Sequence, residues 1–327
     1  MNDGELTRDR VKEKALELGF HKVGIASVDT DRELEVKRLQ TWLDKGYQAE
    51  MGWMGNPKRQ NIRLVMPNVE SVICVAINYY TSPEPPIVAE RGEEMGAEYA
   101  QISRYGWGRD YHKVMEKKLK FFANWLQSQG EGIDAKYYAD TGPIQDKVWA
   151  QKAGIGWISK NSNVITREYG SWVFLGEILT NLSLIPDSPH TEHCGTCTRC
   201  LDACPTQAIT QPFVVDANLC IAYHTIENRE ENLPDDIGRK LDNWVAGCDI
   251  CQEVCPWNQR FAQETDIIDF QPYPENVAPT LTELANISDE EWERRFTGSA
   301  LRRIKPNMLR RNARANLNNS GSLSGMK

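Results

Sequence analysis

The sequence predicts an α+β protein in three parts, on three observations. Strands and helices alternate over the first 185 residues, which is the pattern of a layered α/β domain. Eight of the nine cysteines then crowd between Cys194 and Cys255, so residues 186–262 form a separate cysteine-ligated domain. After Pro256 the chain turns polar and helical, giving a short basic helical segment over 263–317 and a disordered Asn/Ser/Gly-rich tail over 318–327. A chain of 327 residues is long enough to bury a core in more than one such part.

The elements follow in order. Leu6, Val11, Ala15 and Leu18 recur near helical spacing over residues 5–18, with Gly19 as the stop. A short strand covers 22–26, and a second helix runs over 32–45 up to Gly46. Residues 72–77 make the first strongly apolar strand, and 81–96, rich in Pro, Glu and Gly, read as an exposed loop. A helix leads from His112 to about Gln127. A strand over 134–140 ends in the turn Asp140-Thr-Gly-Pro143, and Pro143 opens the next helix near its first turn. Residues 163–166 and 171–179 read as a β pair. Beyond the cysteines, Thr280-x-x-Glu283 and Ser288-x-x-Glu291 are capping boxes that each open a helix, and a third helix covers 308–317.

The cysteines carry the most specific signal. Cys194, Cys197, Cys200 and Cys204-Pro205 follow C-x2-C-x2-C-x3-C-P, and Cys248, Cys251 and Cys255-Pro256 repeat it without a first member. Val245 stands where that member belongs, and the isolated Cys220 is the natural substitute. In two-cluster ferredoxins the fourth cysteine of each run serves the other cluster. That rule puts Cys194, Cys197, Cys200 and Cys255 on one [4Fe–4S] cluster, and Cys204, Cys220, Cys248 and Cys251 on the other. Zinc knuckles do not call for the extra C-x3-C-P, and disulfides need an oxidising compartment for which no signal peptide argues. Cys74, in an apolar run, reads as a small buried hydrophobe.

A net charge of −8 argues against general nucleic-acid affinity, but it is unevenly spread. From Arg294 to Lys327 there are nine Lys and Arg and no Asp or Glu, a local patch that a phosphate-bearing partner would fit. The apolar runs are too short to span a bilayer, and Glu177 interrupts the best of the later ones. The sequence therefore reads as a cytoplasmic protein with no membrane contact. There is no G-x-G-x-x-G after a strand to support a Rossmann nicotinamide or flavin site.

The motifs Ile102-Ser-Arg-Tyr105, Gly108-Arg-Asp-Tyr-His-Lys113, Ala139-Asp-Thr-Gly-Pro143, Lys152-Ala-Gly-Ile-Gly-Trp157, Gly170-Ser-Trp-x-Phe-Leu-Gly-Glu177 and Cys255-Pro-Trp-Asn258 accompany the cysteine runs. Together they resemble the epoxyqueuosine reductases, from the first helix to about Asn316. The resemblance implies a cobalamin-binding catalytic domain, a ferredoxin-like domain with two [4Fe–4S] clusters, and a C-terminal part in the manner of HEAT repeats. It also implies reduction of epoxyqueuosine to queuosine in tRNA, the last step in making that base. Cobalamin would rest as cob(II)alamin and be reduced by the clusters.

The resemblance makes Asp140 the proton donor, kept neutral by burial, although an Asp before Thr-Gly-Pro is more often a turn residue. It places Arg59, Tyr105, Asp140, Lys160, Asn163 and Ser171 against the corrin. His112 is not assigned to cobalt; a helix start and packing account for it. Arg302, Arg303, Lys305, Arg310, Arg311 and Arg314 are the expected tRNA backbone contacts. The partners expected are this tRNA and a separate electron donor, with the chain acting as a monomer. The alternative is an electron-transfer or corrinoid-reducing protein that serves a partner enzyme.

Overall fold

The computed structural model describes residues 6–29, 31–82 and 99–323. Most of the loop expected over 81–96 lies outside these, as do residues 324–327. A four-stranded antiparallel sheet organises the first part, in the order β1 (Lys22–Ser27), β2 (Ser71–Asn78), β7 (Val173–Thr180) and β4 (Ala135–Tyr138). All eight residues of β2 are buried, because both faces of the sheet are covered. Ile73, Val75 and Ile77 point into one core with the helices Arg8–Glu17 and Tyr111–Gln127. Val72, Cys74 and Ala76 alternate into a second core with Trp149 and Ala150 of the helix Asp146–Lys152. A strand with no polar face is what two covered faces require.

One expectation fails here. Residues 163–166 and 171–179 do not pair as neighbouring strands. Val164–Ile165 (β6) instead pairs with Trp157–Ile158 (β5), while β7 is drawn into the main sheet between β2 and β4. Local alternation identifies a strand but not its partner, and β7 pairs along its full length with the eight-residue β2 and over four residues with β4, against two residues available in β6.

A small strand β3 (Gln101–Ile102) leaves this sheet to run parallel to β10 (Trp244–Ala246), just before the second cysteine run. The antiparallel hairpin β8 (Ile209–Gln211) and β9 (Val214–Val215) follows the first run. Ala100, Ile102, Trp107, Val245 and Ala246 share one core with the C-terminal helices through Leu281, Leu284, Phe296, Met308 and Leu309.

Both N-caps form, with Thr280 Oγ1 accepting from the Glu283 N–H at 3.1 Å and Ser288 Oγ from the Glu291 N–H at 3.0 Å, while the two Glu side chains turn to Arg295 and Arg294. The last helix runs Pro306–Leu323, so residues 318–323 are helical rather than a disordered tail. Asn319 Nδ2 anchors that extension by donating to the Gly238 carbonyl at 2.8 Å. Among the described residues, no helix is long and apolar enough to cross a membrane.

Candidate active site

A cavity of about 1140 Å³ opens where the end of β4, the start of the helix Tyr111–Gln127, the second cysteine run and residues 298–303 meet. Aromatic side chains of Trp53, Tyr79, Tyr105, Tyr111 and Phe174 line it, together with Asp110, His112, Asp140, Lys147 and Gln252. It exceeds the roughly 300–1,000 Å³ of ordinary ligand pockets, so a macrocycle the size of a corrin fits its walls.

Asp140 follows β4 with φ at +63°, a left-handed conformation that costs energy for any residue but Gly. Two groups from the start of the preceding helix, Tyr111–Gln127, hold its carboxylate. Tyr111 Oη donates to Oδ2 at 2.9 Å, and His112 Nε2 lies 3.3 Å from the same oxygen. His112 is itself held by Asp110, whose Oδ1 takes its Nδ1 at 2.8 Å and also caps the helix by accepting from the His112 N–H. The sequence therefore builds a helix N-terminus whose first two residues point at the loop.

Electrostatics corrects one expectation. Burial pushes the Asp140 carboxyl up, but the hydrogen bonds from His112 and Tyr111 outweigh it and hold the group below its ordinary value. Burial would push His112 down, yet Asp110 and Asp140 together raise it to about 9. Near neutral pH the proton thus rests on His112, and Asp140 is an anion rather than a carboxylic acid kept neutral by burial. The Asp140 side chain is 62% exposed toward the cavity, which leaves it free to meet a substrate.

The other expected cofactor contacts divide. Arg59, Tyr105, Asn163 and Ser171 line the cavity. Arg59 is buried and clamps the loop after Asp140 from behind, donating to the Ile144 carbonyl at 2.5 Å and the Gly142 carbonyl at 3.2 Å. Ser171 N–H donates to Asn258 Oδ1 at 2.7 Å, and the Asn258 amide returns a bond to Ser171 Oγ at 2.8 Å. That lock explains Gly170: a Cβ there would fall 2.1 Å from Asn258 Oδ1. Lys160 is not at the cavity. Its ammonium donates to the Gly195 and Cys197 carbonyls at 2.6 and 2.9 Å, because β5 carries it under the first cysteine run.

Cys194, Cys197, Cys200 and Cys255 line a separate recess of about 150 Å³, a cradle closed by thiols from both runs. Cys204, Cys220, Cys248 and Cys251 form a second group: burial raises the Cys220 thiol with Cys204 adjoining it, and Cys251 is raised by burial with Cys220 beside it. Lys147 joins this second group to the cavity. It donates to Asn163 Oδ1 at 3.1 Å and feels Asp140 as well as the Cys251 and Cys220 thiols. Sequence reasoning missed Tyr111 and Lys147 as cavity residues and left His112 as packing. Helix starts are legible, but what they face is not.

The basic C-terminus also divides. Arg303 makes a two-pronged pair with Glu227, and Arg302 pairs with Glu293 at 2.9 Å; both line the cavity mouth. Arg310 bonds the Ile287 carbonyl at 2.9 Å and Asp289 at 2.7 Å. Arg311 is tied into the fold: its guanidinium donates to the carbonyls of His224, Asn228 and Glu230, which removes it from the expected tRNA contacts. Lys305 and Arg314 are exposed and have no ion-pair partner among the described residues.

Known proteins share this arrangement. The family model "Epoxyqueuosine reductase QueG, DUF1730" matches residues 59–141, and "4Fe-4S double cluster binding domain" matches 193–258. The epoxyqueuosine reductase of Synechocystis sp. is 59% identical over 296 residues, 90% of this chain and 100% of that one. That of Gloeobacter violaceus is 50% identical over 96% of this chain and 97% of its own. Among solved structures, an epoxyqueuosine reductase with an epoxyqueuosine-modified tRNA-Tyr stem loop superposes with a TM-score of 0.84 at 32% identity, covering 97% of this chain and 82% of that one. The Bacillus subtilis enzyme, with its catalytic aspartate loop swung out of the active site, gives 0.82 at 31%, covering 97% and 82%. With relatives this similar along nearly their whole length, the chain belongs to the epoxyqueuosine reductase family.

Proposed function

We propose that this chain reduces epoxyqueuosine to queuosine in tRNA, with cobalamin in the large cavity and two [4Fe–4S] clusters feeding it. The clusters are assigned to Cys194, Cys197, Cys200 and Cys255, and to Cys204, Cys220, Cys248 and Cys251. Arg59, Tyr105, Asn163 and Ser171 are assigned to the cofactor's surroundings. The observation that carries the reading is the Asp140 carboxylate in a cavity that also adjoins the second thiol group through Lys147.

Opening an epoxide to an alkene with loss of water takes two electrons and two protons. Cobalamin, when bound, supplies a metal centre that can deliver reducing equivalents to carbon. The protons are the protein's task. His112 stores one on Nε2, within 3.3 Å of Asp140 Oδ2, and Asp140 passes it to the epoxide oxygen, which otherwise would leave as a poor alkoxide; the second proton comes from solvent by the same exposed carboxylate, so that the oxygen departs as water. Tyr111 holds the carboxylate in line from the other side. Arg59 and the aromatic wall keep the loop in place, and the cations at the mouth, Arg302 and Arg303, face the nucleic acid.

The test is Asp140→Asn in single-turnover assays with pre-reduced protein and epoxyqueuosine-containing tRNA. Product formation should fall by roughly a hundred- to ten-thousand-fold, the usual weight of general acid–base catalysis, while cluster and cobalamin spectra and melting temperature hold. Near-normal turnover would remove Asp140 from the chemistry. If wild-type protein reduced its cobalamin yet turned over no tRNA, the corrinoid-reducing alternative would stand.

A further inference from the structure

We propose that electrons arrive at the Cys194/Cys197/Cys200/Cys255 cluster, across a basic face that receives an acidic, low-potential one-electron carrier protein. The inference rests on the cluster assignment above. The two thiol groups are not equivalent. The Cys204/Cys220/Cys248/Cys251 group adjoins Lys147 and so borders the substrate cavity. The other group faces away, into its own recess rimmed by Lys160, His193, Arg199 and Trp257. One cluster therefore hands electrons to the cavity and the other takes them from outside.

The rim has the chemistry of a docking face for an anionic partner. Arg199 and Arg260 are exposed, and each lies within five residues of a ligand cysteine. Arg199 Nη1 donates to Gln259 Oε1 at 3.4 Å, and Arg260, next in the chain, lies over the Phe261 ring at 5.2 Å. Arg167, also exposed, reaches His193 Nε2 at 3.5 Å, and Lys160 binds the carbonyls of the first cysteine run. The anions in the same segments are engaged elsewhere. Glu192 is turned onto the Cys194 N–H, Asp202 accepts from Thr198 Oγ1 at 2.8 Å, Glu168 pairs with Lys22, and Glu253 meets Arg104 at 3.5 Å. Lys160, Arg167, Arg199 and Arg260 thus outnumber Glu192 and Asp202, the two of these anions with no cation partner among the described residues, a local inversion of a chain whose net charge is −8. Trp257, on the rim of the recess, stacks with Phe261 at 5.2 Å, and both are partly exposed, so the cations have an apolar centre beside them. In each encounter the carrier is oxidised by one electron and the cluster reduced by one, and two encounters supply one epoxide reduction.

The experiment is stopped-flow bleaching of the clusters in tRNA-free holoprotein, with a reduced acidic [2Fe–2S] ferredoxin or with photoreduced deazariboflavin, a small neutral reductant that needs no docking face. The double variant Arg199→Glu, Arg260→Glu should slow reduction by the ferredoxin about tenfold or more at low ionic strength and flatten its salt dependence. Its rate with deazariboflavin and its iron content should match wild type, and Arg239→Glu, away from the cysteines in sequence, should change neither rate. An unaltered ferredoxin rate would overturn the proposal. So would an equal loss with both reductants, which would mean damage to the cluster rather than to docking. Wild-type protein whose clusters bleach normally but which fails on tRNA would instead count against the proposed function alone.

Discussion

At Asp140 the chain accepts a left-handed backbone to present a carboxylate that two neighbours then hold as an anion. The linked group is His112, and its pairing predicts a pH dependence. Its value rises from the ordinary 6.5 to about 9, so the stabilisation from its bonds to Asp110 and Asp140 is complete below about 6.5 and is lost as pH climbs through about 9. The proton store empties over the same upper limit. Single-turnover rates of pre-reduced enzyme should therefore fall on an alkaline limb near 9, and His112→Asn, which cannot hold that proton, should lower the plateau and abolish the limb. A wild-type profile that stays flat through this range would take His112 out of the proton path.

Among the elements, the turn that ends in Cys220 carries the residue proposed to complete the second ligand set. Asp216 caps it by accepting from Asn218, and Cys220 then stands at the N-cap of the helix Ile221–Ile226 without making a side-chain cap bond. The N–H groups of Ala222 and Tyr223 face its sulfur, which favours a thiolate there. Cys220→Ala should reduce iron from about eight to about four per chain and abolish the signal of one cluster while sparing the other. Loss of all iron would mean that the two groups assemble only together, and full retention would release Cys220 from the ligand set. The last helix carries a different kind of element logic. Asn312 Nδ2 donates to the Thr225 and Val245 carbonyls at 3.0 and 2.9 Å, and Asn316 serves both Trp244 and Asn243, so buried amides satisfy the edge of β10.

For the whole molecule, the basic C-terminus is partly a fastening and partly a surface. Arg311 ties the last helix to the loop after Ile226, so Arg311→Ala should cost about 1–3 kcal/mol by stranding buried carbonyls, seen as a lower melting temperature. Lys305→Glu with Arg314→Glu should leave the melting temperature alone, weaken tRNA binding, and reduce the slope of log K against log salt by about one for each phosphate no longer neutralised. If the double variant bound tRNA as wild type does, these two would be ordinary solvated cations.

The sequence alone determined the main strands and helices of the first part, the N-caps at Thr280 and Ser288, a double [4Fe–4S] cluster domain, and through its motifs the family. These are readable because they depend on local pattern: a continuous apolar run in β2, S/T-x-x-E at helix starts, C-x2-C-x2-C-x3-C-P in the run. Tertiary structure decided what local spacing cannot carry. It placed β7 inside the sheet rather than beside β6, sent Lys160 to the cysteines rather than to the cavity, and continued the last helix past Leu317. It also moved the site's proton from Asp140 to His112. That assignment depends on two side chains from one helix meeting a loop 28 residues away, and a pKa is set by such neighbours in space rather than in sequence.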